Sequence, residues 1–199
     1  MINNFDIKDQ KKLDEVEKTL TFQRMSLLYE NPIYGAFGLK HLQKIHKYIF
    51  QDVYPFAGKI RDEQMTKGNT TFAHPRHLEP YAFDVFKQLK GENYLQGLEL
   101  DKLNEKASYY LSEINMIHPF REGNGRTQRE YIRLLFLKNG YELNLTNISS
   151  QEMIKASIRS VNDPTAFVEI FNKHVENREP DEFLIKSYKN LKKNNDLEL

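Results

Sequence analysis

The chain has 199 residues, 39% of them hydrophobic and 29% charged, with a formal net charge of +1. That balance describes a folded chain with a substantial core, and it argues against a disordered protein or a generally basic nucleic-acid binder. Cysteine is absent, which removes disulfides, a thiol nucleophile and cysteine-based zinc sites and fits a reducing compartment.

No apolar run approaches the roughly 18 residues of a membrane span. The opening "MINNFDIKDQ" lacks the apolar stretch of a signal peptide. Asp9 is placed to cap a first helix with apolar positions at Leu13, Val16, Leu20 and Leu27. This helix should stop at "ENP", because Asn31 precedes Pro32 and is driven out of the α region. "GLKHLQKIHKYIF" predicts a second helix on Leu42, Ile45 and Ile49. "MTKGNTTFAHP" breaks the periodicity. Lys67-Gly68-Asn69-Thr70 reads as a hairpin tip, followed by Thr71 and Phe72 in a strand. Helical spacing resumes at Tyr81 to Leu89, and then places Leu103, Ala107, Leu111, Ile114 and Ile117 on one face. A helix opening near Arg126 is stopped by Asn139-Gly140. Further helices follow "NISSQE" and "NDPTAF", and the polar tail, about residues 185–199, is expected to fray. The expectation is one mainly α domain over residues 1–199, with its core at about 7–175 and a small hairpin.

The densest chemistry lies in "IHPFREGNGRTQRE", Ile117 to Glu130. A glycine-rich turn there precedes a helix start, where exposed N–H groups favour an anion. Arg126 and Arg129 fall in the first turn of that helix, where cations are unfavourable against the helix dipole unless an anion offsets them. Two arginines with an N–H nest suit a polyphosphate. Glu122 would repel phosphate directly, so it makes sense as a carboxylate ligand of Mg²⁺. His118 is then a base placed to take a proton from an attacking hydroxyl. His74 and His77 lack a third ligand and read as surface residues; His41, His46 and His174 show no constellation.

"HPFREGNGRTQR" resembles the Fic family signature, HxFx(D/E)GNGRxxR, and matches it at every specified position. The resemblance extends through "LQKIHKYIFQDVYPFAGKIRD" and "TKGNTTFAHP", over roughly residues 7 to 170. It implies a mainly helical Fic domain that transfers AMP from ATP to a Tyr, Thr or Ser hydroxyl of a target protein and of itself. By this resemblance His118 is the general base and Phe120 a core anchor. Glu122 holds Mg²⁺. Gly123, Asn124 and Gly125 cradle phosphates with Arg126, and Arg129 meets the γ-phosphate.

The same resemblance makes Met65 to Ala73, with Thr66, Lys67, Thr71 and Phe72, a flap (about residues 65–73) onto which the target docks as an added strand. Lys67 would reach phosphate and Phe72 would clamp the modified side chain. "SLLYEN", Ser26 to Asn31, fits the family's inhibitory pattern [S/T]xxxE[G/N]. On that reading Glu30 pairs with Arg129 and blocks the γ-phosphate; the alternative is a plain helix end. The implied partners are ATP and a protein target, with no membrane and no direct nucleic acid; oligomerisation is left open. The location is expected to be cytoplasmic, with export as an effector the alternative. The rival functions are removal of AMP from a modified protein and an idle interaction module.

Overall fold

Asp9 caps the first helix as expected, accepting a hydrogen bond from the Lys12 N–H at 3.0 Å, so that α1 runs from Gln10 to Glu30. The computed structural model describes residues 1–197, with side chains through residue 191. α1 ends where Asn31 turns to φ −127° ahead of Pro32. Its buried face is Leu13, Thr21 and Leu28, whereas Leu27, expected in the stripe, is 44% exposed.

α2 (Leu39–Phe50) buries Leu42, Ile45 and Ile49. The hairpin pairs β1 (Thr66–Lys67) with β2 (Thr70–Thr71), Thr66 opposite Thr71 and Lys67 opposite Thr70. Its tip is therefore only Gly68-Asn69, with Gly68 at φ +56°, a conformation glycine adopts without strain. Phe72 lies just past β2 and turns inward. α3 (Pro75–Gly91) begins ahead of Tyr81, because His74 caps it and Pro75 suits its first turn.

α4 (Leu100–Ile117) buries Leu103, Ala107, Leu111, Ile114 and Ile117, the face its spacing predicts. α5 (Asn124–Lys138) starts at Asn124, so Arg126 falls in its first turn, and every residue from Tyr131 to Phe136 is buried. It is the central helix, packed on α2 and α4. α6 (Ser150–Arg159) and α7 (Val168–His174) follow. The expectation of a fraying tail is corrected through residue 197: Glu182–Leu197 forms α8. Tyr188 anchors it, 2% exposed, stacking on Phe37 at 5.9 Å and donating to the Gly35 carbonyl at 3.2 Å. Residues 198 and 199 lie outside the described ones. The fold is mainly helical with one small hairpin. Its consequence for the site is that α4, the 118–123 loop and α5 are consecutive, with the hairpin on one side and α1 on the other.

Candidate active site

α4 ends on His118, which takes a left-handed backbone (φ 44°, ψ 62°) more usual for glycine at a helix end. A side chain held there carries local strain, and the surroundings hold it. Arg61 is buried and has no carboxylate partner among the described residues. It donates from Nε to the His118 carbonyl (2.7 Å) and from its terminal nitrogens to Ala73, Glu63 and Ile117 carbonyls. The Ala73 N–H also donates to the Met116 carbonyl at 3.0 Å. One guanidinium thus ties the hairpin base to the end of α4.

The His118 ring lies against Phe72 of the hairpin, centroids 3.7 Å apart and planes 12° apart. Its Nδ1 faces the Asn115 carbonyl at 3.2 Å. A carbonyl only accepts, so Nδ1 carries the proton and Nε2 presents a lone pair. That Nε2 is buried and has no hydrogen-bond partner among the described residues. Burial, with the nearby Lys67 charge next, pushes the ring's pKa down to about 3. The imidazole is neutral at pH 7 with one unused acceptor.

The loop after His118 is closed by Asn124. Its side chain accepts from the Phe120 N–H (3.0 Å) and donates to the Phe120 carbonyl (2.7 Å). Both ends of that amide are engaged inside the loop, and Asn124 also has its backbone N–H to offer a ligand. Phe120 is buried and stacks on His46, with centroids 3.9 Å apart. His46 accepts from the Gly58 N–H at Nδ1 (2.8 Å) and donates from Nε2 to the Glu122 carbonyl (2.9 Å). Burial holds this ring neutral too, with its pKa lowered to about 4. Gly123, at φ +78°, is pressed on Phe50: a Cβ there would come within 2.2 Å of the ring. These supports, His46, Phe50 and Arg61, went unseen in the sequence because their partners lie far along the chain.

The Glu122 carboxylate accepts from the Gly123 N–H at 2.9 Å and stays about one-third exposed. The first backbone bond of α5 runs from Thr127 N–H to Gly123 oxygen. The N–H groups of Asn124, Gly125 and Arg126 therefore head the helix without intrahelical acceptors. Gly125 is open: a Cβ there would meet only the Arg129 guanidinium, at 3.5 Å. A cavity of about 240 Å³ lies over this turn, lined by Glu122, Gly123, Gly125, Arg126 and Arg129. A second, of about 470 Å³, reaches from the same arginines to Phe22 and Ser26 of α1 and Met153 of α6.

The two arginines differ. Arg126 donates to Glu17 at 2.5 Å and to the Thr21 hydroxyl at 3.0 Å, with its guanidinium 4.7 Å from the Phe50 ring centre. Arg129 has no carboxylate partner among the described residues, and burial and the Arg126 charge lower its pKa.

The expected Glu30–Arg129 pair is not made. Glu30 is exposed and lines a separate cavity with Tyr29, Pro32 and Arg133. At about 100° per residue, Glu30 sits about 100° around α1 from Tyr29, the α1 residue whose hydroxyl acts on Arg129. Ser26 bonds only back to the Phe22 carbonyl, at 3.1 Å, and Asn31 caps the helix. Arg133 instead secures this end of α1, donating to the Leu28 carbonyl while held by Glu130. On the hairpin, Thr66, Lys67 and Thr71 are exposed and Phe72 is buried.

The sequence profile of the Fic/DOC family matches residues 36–136. The chain is 44% identical over 160 residues to the protein adenylyltransferase VbhT of Bartonella schoenbuchensis; that stretch is 80% of this chain and 34% of VbhT. It thus spans about a third of that relative. It is 33% identical over 176 residues to the probable protein adenylyltransferase Fic of Escherichia coli, covering 88% of this chain and 87% of that protein. Among solved structures, an N-terminal Fic domain of a VirB-translocated effector from Bartonella quintana, with bound ADP, superimposes with a TM-score of 0.83. It is 26% identical, with 93% of each chain covered. No helix among the described residues is long and apolar enough to cross a membrane. The profile match, the identity to these relatives and the shared helical architecture together show that the chain belongs to the Fic/DOC family.

Proposed function

We propose that the chain is a Mg²⁺-dependent protein adenylyltransferase that moves AMP from ATP to a hydroxyl side chain of a protein, itself included. The observation that carries the reading is the buried Nε2 of His118, without a hydrogen-bond partner among the described residues, on a neutral ring at the start of the loop that leads into the glycine turn and the N–H groups heading α5. Such a nitrogen can accept a proton from a Tyr, Thr or Ser hydroxyl as its oxygen attacks the α-phosphorus. The new oxygen–phosphorus bond forms as the bond from the α-phosphorus to the α–β bridging oxygen breaks, and pyrophosphate leaves. The Asn124, Gly125 and Arg126 N–H groups and the two guanidiniums would stabilise the charge on the phosphates. The naming of two curated relatives as adenylyltransferases supports the same reaction.

Glu122 fits a single-carboxylate hold on Mg²⁺. It is part-exposed beside the cavity, and no cluster of three ligating side chains exists among the described residues, so phosphate oxygens and water complete such a site. The ion, when bound, neutralises phosphate charge. The hairpin suits target docking: its strands are two residues long, with Thr66, Lys67 and Thr71 exposed, leaving backbone groups for an added strand. Lys67 stands close enough to His118 to act on its charge.

Inhibition by Glu30 forms no part of this reading, because its carboxylate makes no ion pair with either arginine among the described residues. The reverse reaction, removal of AMP by a water positioned on that glutamate, is disfavoured for the same reason. An idle module is disfavoured because each signature residue is present. The test is incubation with ATP labelled at the α- or the γ-phosphate. Protein-bound label from the α-labelled nucleotide alone supports AMP transfer. Label from the γ-position would mean phosphate transfer, and none from either, on self or lysate proteins, would contradict the proposal.

A further inference from the structure

The two signature arginines are not equivalent, and the difference originates outside the signature, on α1. Glu17 is 13% exposed in its side chain and reaches Arg126 Nη2 at 2.5 Å. Its other oxygen accepts from the Tyr54 hydroxyl, so the carboxylate is gripped from both sides. Thr21, one turn along α1, takes a second guanidinium proton at 3.0 Å. The Phe50 ring, 4.7 Å from the guanidinium carbon, adds a cation–π contact. Glu122 stands at 4.0 Å from the same nitrogen. Arg126 is thus oriented by four groups and partly neutralised, while Arg129 beside it has no carboxylate partner among the described residues.

We infer that Glu17 is a positioning residue that fixes Arg126 and offsets its charge, leaving Arg129 as the dominant free cation for the nucleotide's outer phosphates. The inference rests on the phosphate-binding reading above. A guanidinium has five N–H donors, and Glu17 and Thr21 occupy two of them. Others remain for a phosphate, so Glu17 and a nucleotide can hold Arg126 together. The carboxylate still opposes the phosphate's negative charge across a partly buried site, where Coulomb interactions are weakly screened. The arrangement therefore trades grip on polyphosphate for a fixed arginine. A pair of charges this close to the site sets affinity for phosphates without touching the base of the nucleotide.

Glu17→Gln tests this, because the amide keeps the size and an acceptor for Arg126 while removing the charge. Dissociation constants for ATP, ADP and adenosine would be measured by calorimetry in wild type, Glu17→Gln, Arg126→Ala and the double variant, with thermal melts as a control of folding. The expected result is about fivefold or tighter binding of ATP and ADP by Glu17→Gln, unchanged adenosine binding, and most of that gain lost when Arg126 is alanine, since residues acting as a unit are non-additive. Wild-type ATP binding with no gain in Glu17→Gln overturns the inference and leaves the function standing. A shift of adenosine in parallel, or a gain that survives intact in the Arg126→Ala background, also overturns it, since Glu17 would then act through the fold or the general field. If Arg126→Ala binds ATP and ADP as tightly as wild type, the phosphate role of Arg126 falls, and the inference with it. If neither wild type nor Glu17→Gln binds ATP, the proposed function falls as well.

Discussion

Phe72 of the hairpin covers the face of the His118 ring, at 3.7 Å between centroids and 12° between planes. The element that would receive the target is therefore also the wall that keeps the base dry. Phe72→Ala should let water reach His118 and raise its pKa from about 3 toward the ordinary 6.5. Transfer should fall about tenfold or more, as both the dry pocket and the hairpin contact are lost. Imidazole proton shifts followed against pH read this directly; a ring in the variant that still resists protonation down to pH 4 would show that Phe72 is not the shield.

Acid should weaken the fold through its histidines. His41 and His46 are lowered to about 4 and His118 to about 3, each chiefly by burial. The folded pKa lies below the unfolded one, so the unfolded chain binds more protons between the two. Their stabilisation is fully present above about pH 6.5 and is lost as pH falls toward 4 and 3. At about 1.4 kcal/mol per unit, a drop from pH 6.5 to 4.5 should cost on the order of 2 kcal/mol for each ring. Urea midpoints at pH 7 and pH 4.5 check this; equal midpoints would mean that the rings are protonated inside the fold.

Much of this site was legible in the sequence, and what was not has a physical reason. The α4 face, the Asp9 cap and the stop at Asn31 follow from local rules, and each is where the spacing puts it. The signature fixed where α5 begins to within two residues. His46 was unreadable, because its meaning depends on the Glu122 carbonyl, 76 positions away. Nothing local distinguishes Glu17 from the other charges of α1, and its partner Arg126 lies 109 positions away. Leu27 and Leu28 show the same limit: on α1, which buries one face, only one of two adjacent leucines meets the core, and the spacing chosen favoured the exposed one. Tyr188 in a polar tail carried no periodic signal of its own, yet its ring fills a gap beside Phe37.

Glu122→Ala should lose transfer that added Mg²⁺ does not fully restore. The carboxylate is the single acidic side chain lining the glycine-turn cavity, and a one-carboxylate site has no substitute ligand. Titration of the rate with Mg²⁺ at fixed ATP measures it. An unchanged Mg²⁺ dependence would place the ion elsewhere.

Glu30→Gly should leave transfer within about twofold of wild type, since the residue is exposed and pairs with neither signature arginine among the described residues; exposed charges contribute little. Arg129→Ala, by contrast, should weaken ATP binding and slow transfer. Rates of self-labelling in the two variants decide the matter. A large gain in Glu30→Gly would restore the inhibitory role that its sequence context suggested.

The central claim is that the neutral His118 ring is the base. Its sharpest test is labelled-AMP incorporation by His118→Ala beside wild type, with ATP affinity measured on the same samples. Loss of a positioned base costs about 10²–10⁴-fold, and the ring's lone pair serves the acceptor hydroxyl and not the nucleotide. Incorporation should fall by at least about a hundredfold, with ATP affinity largely kept. Incorporation near the wild-type rate by a folded, ATP-binding His118→Ala protein would contradict it.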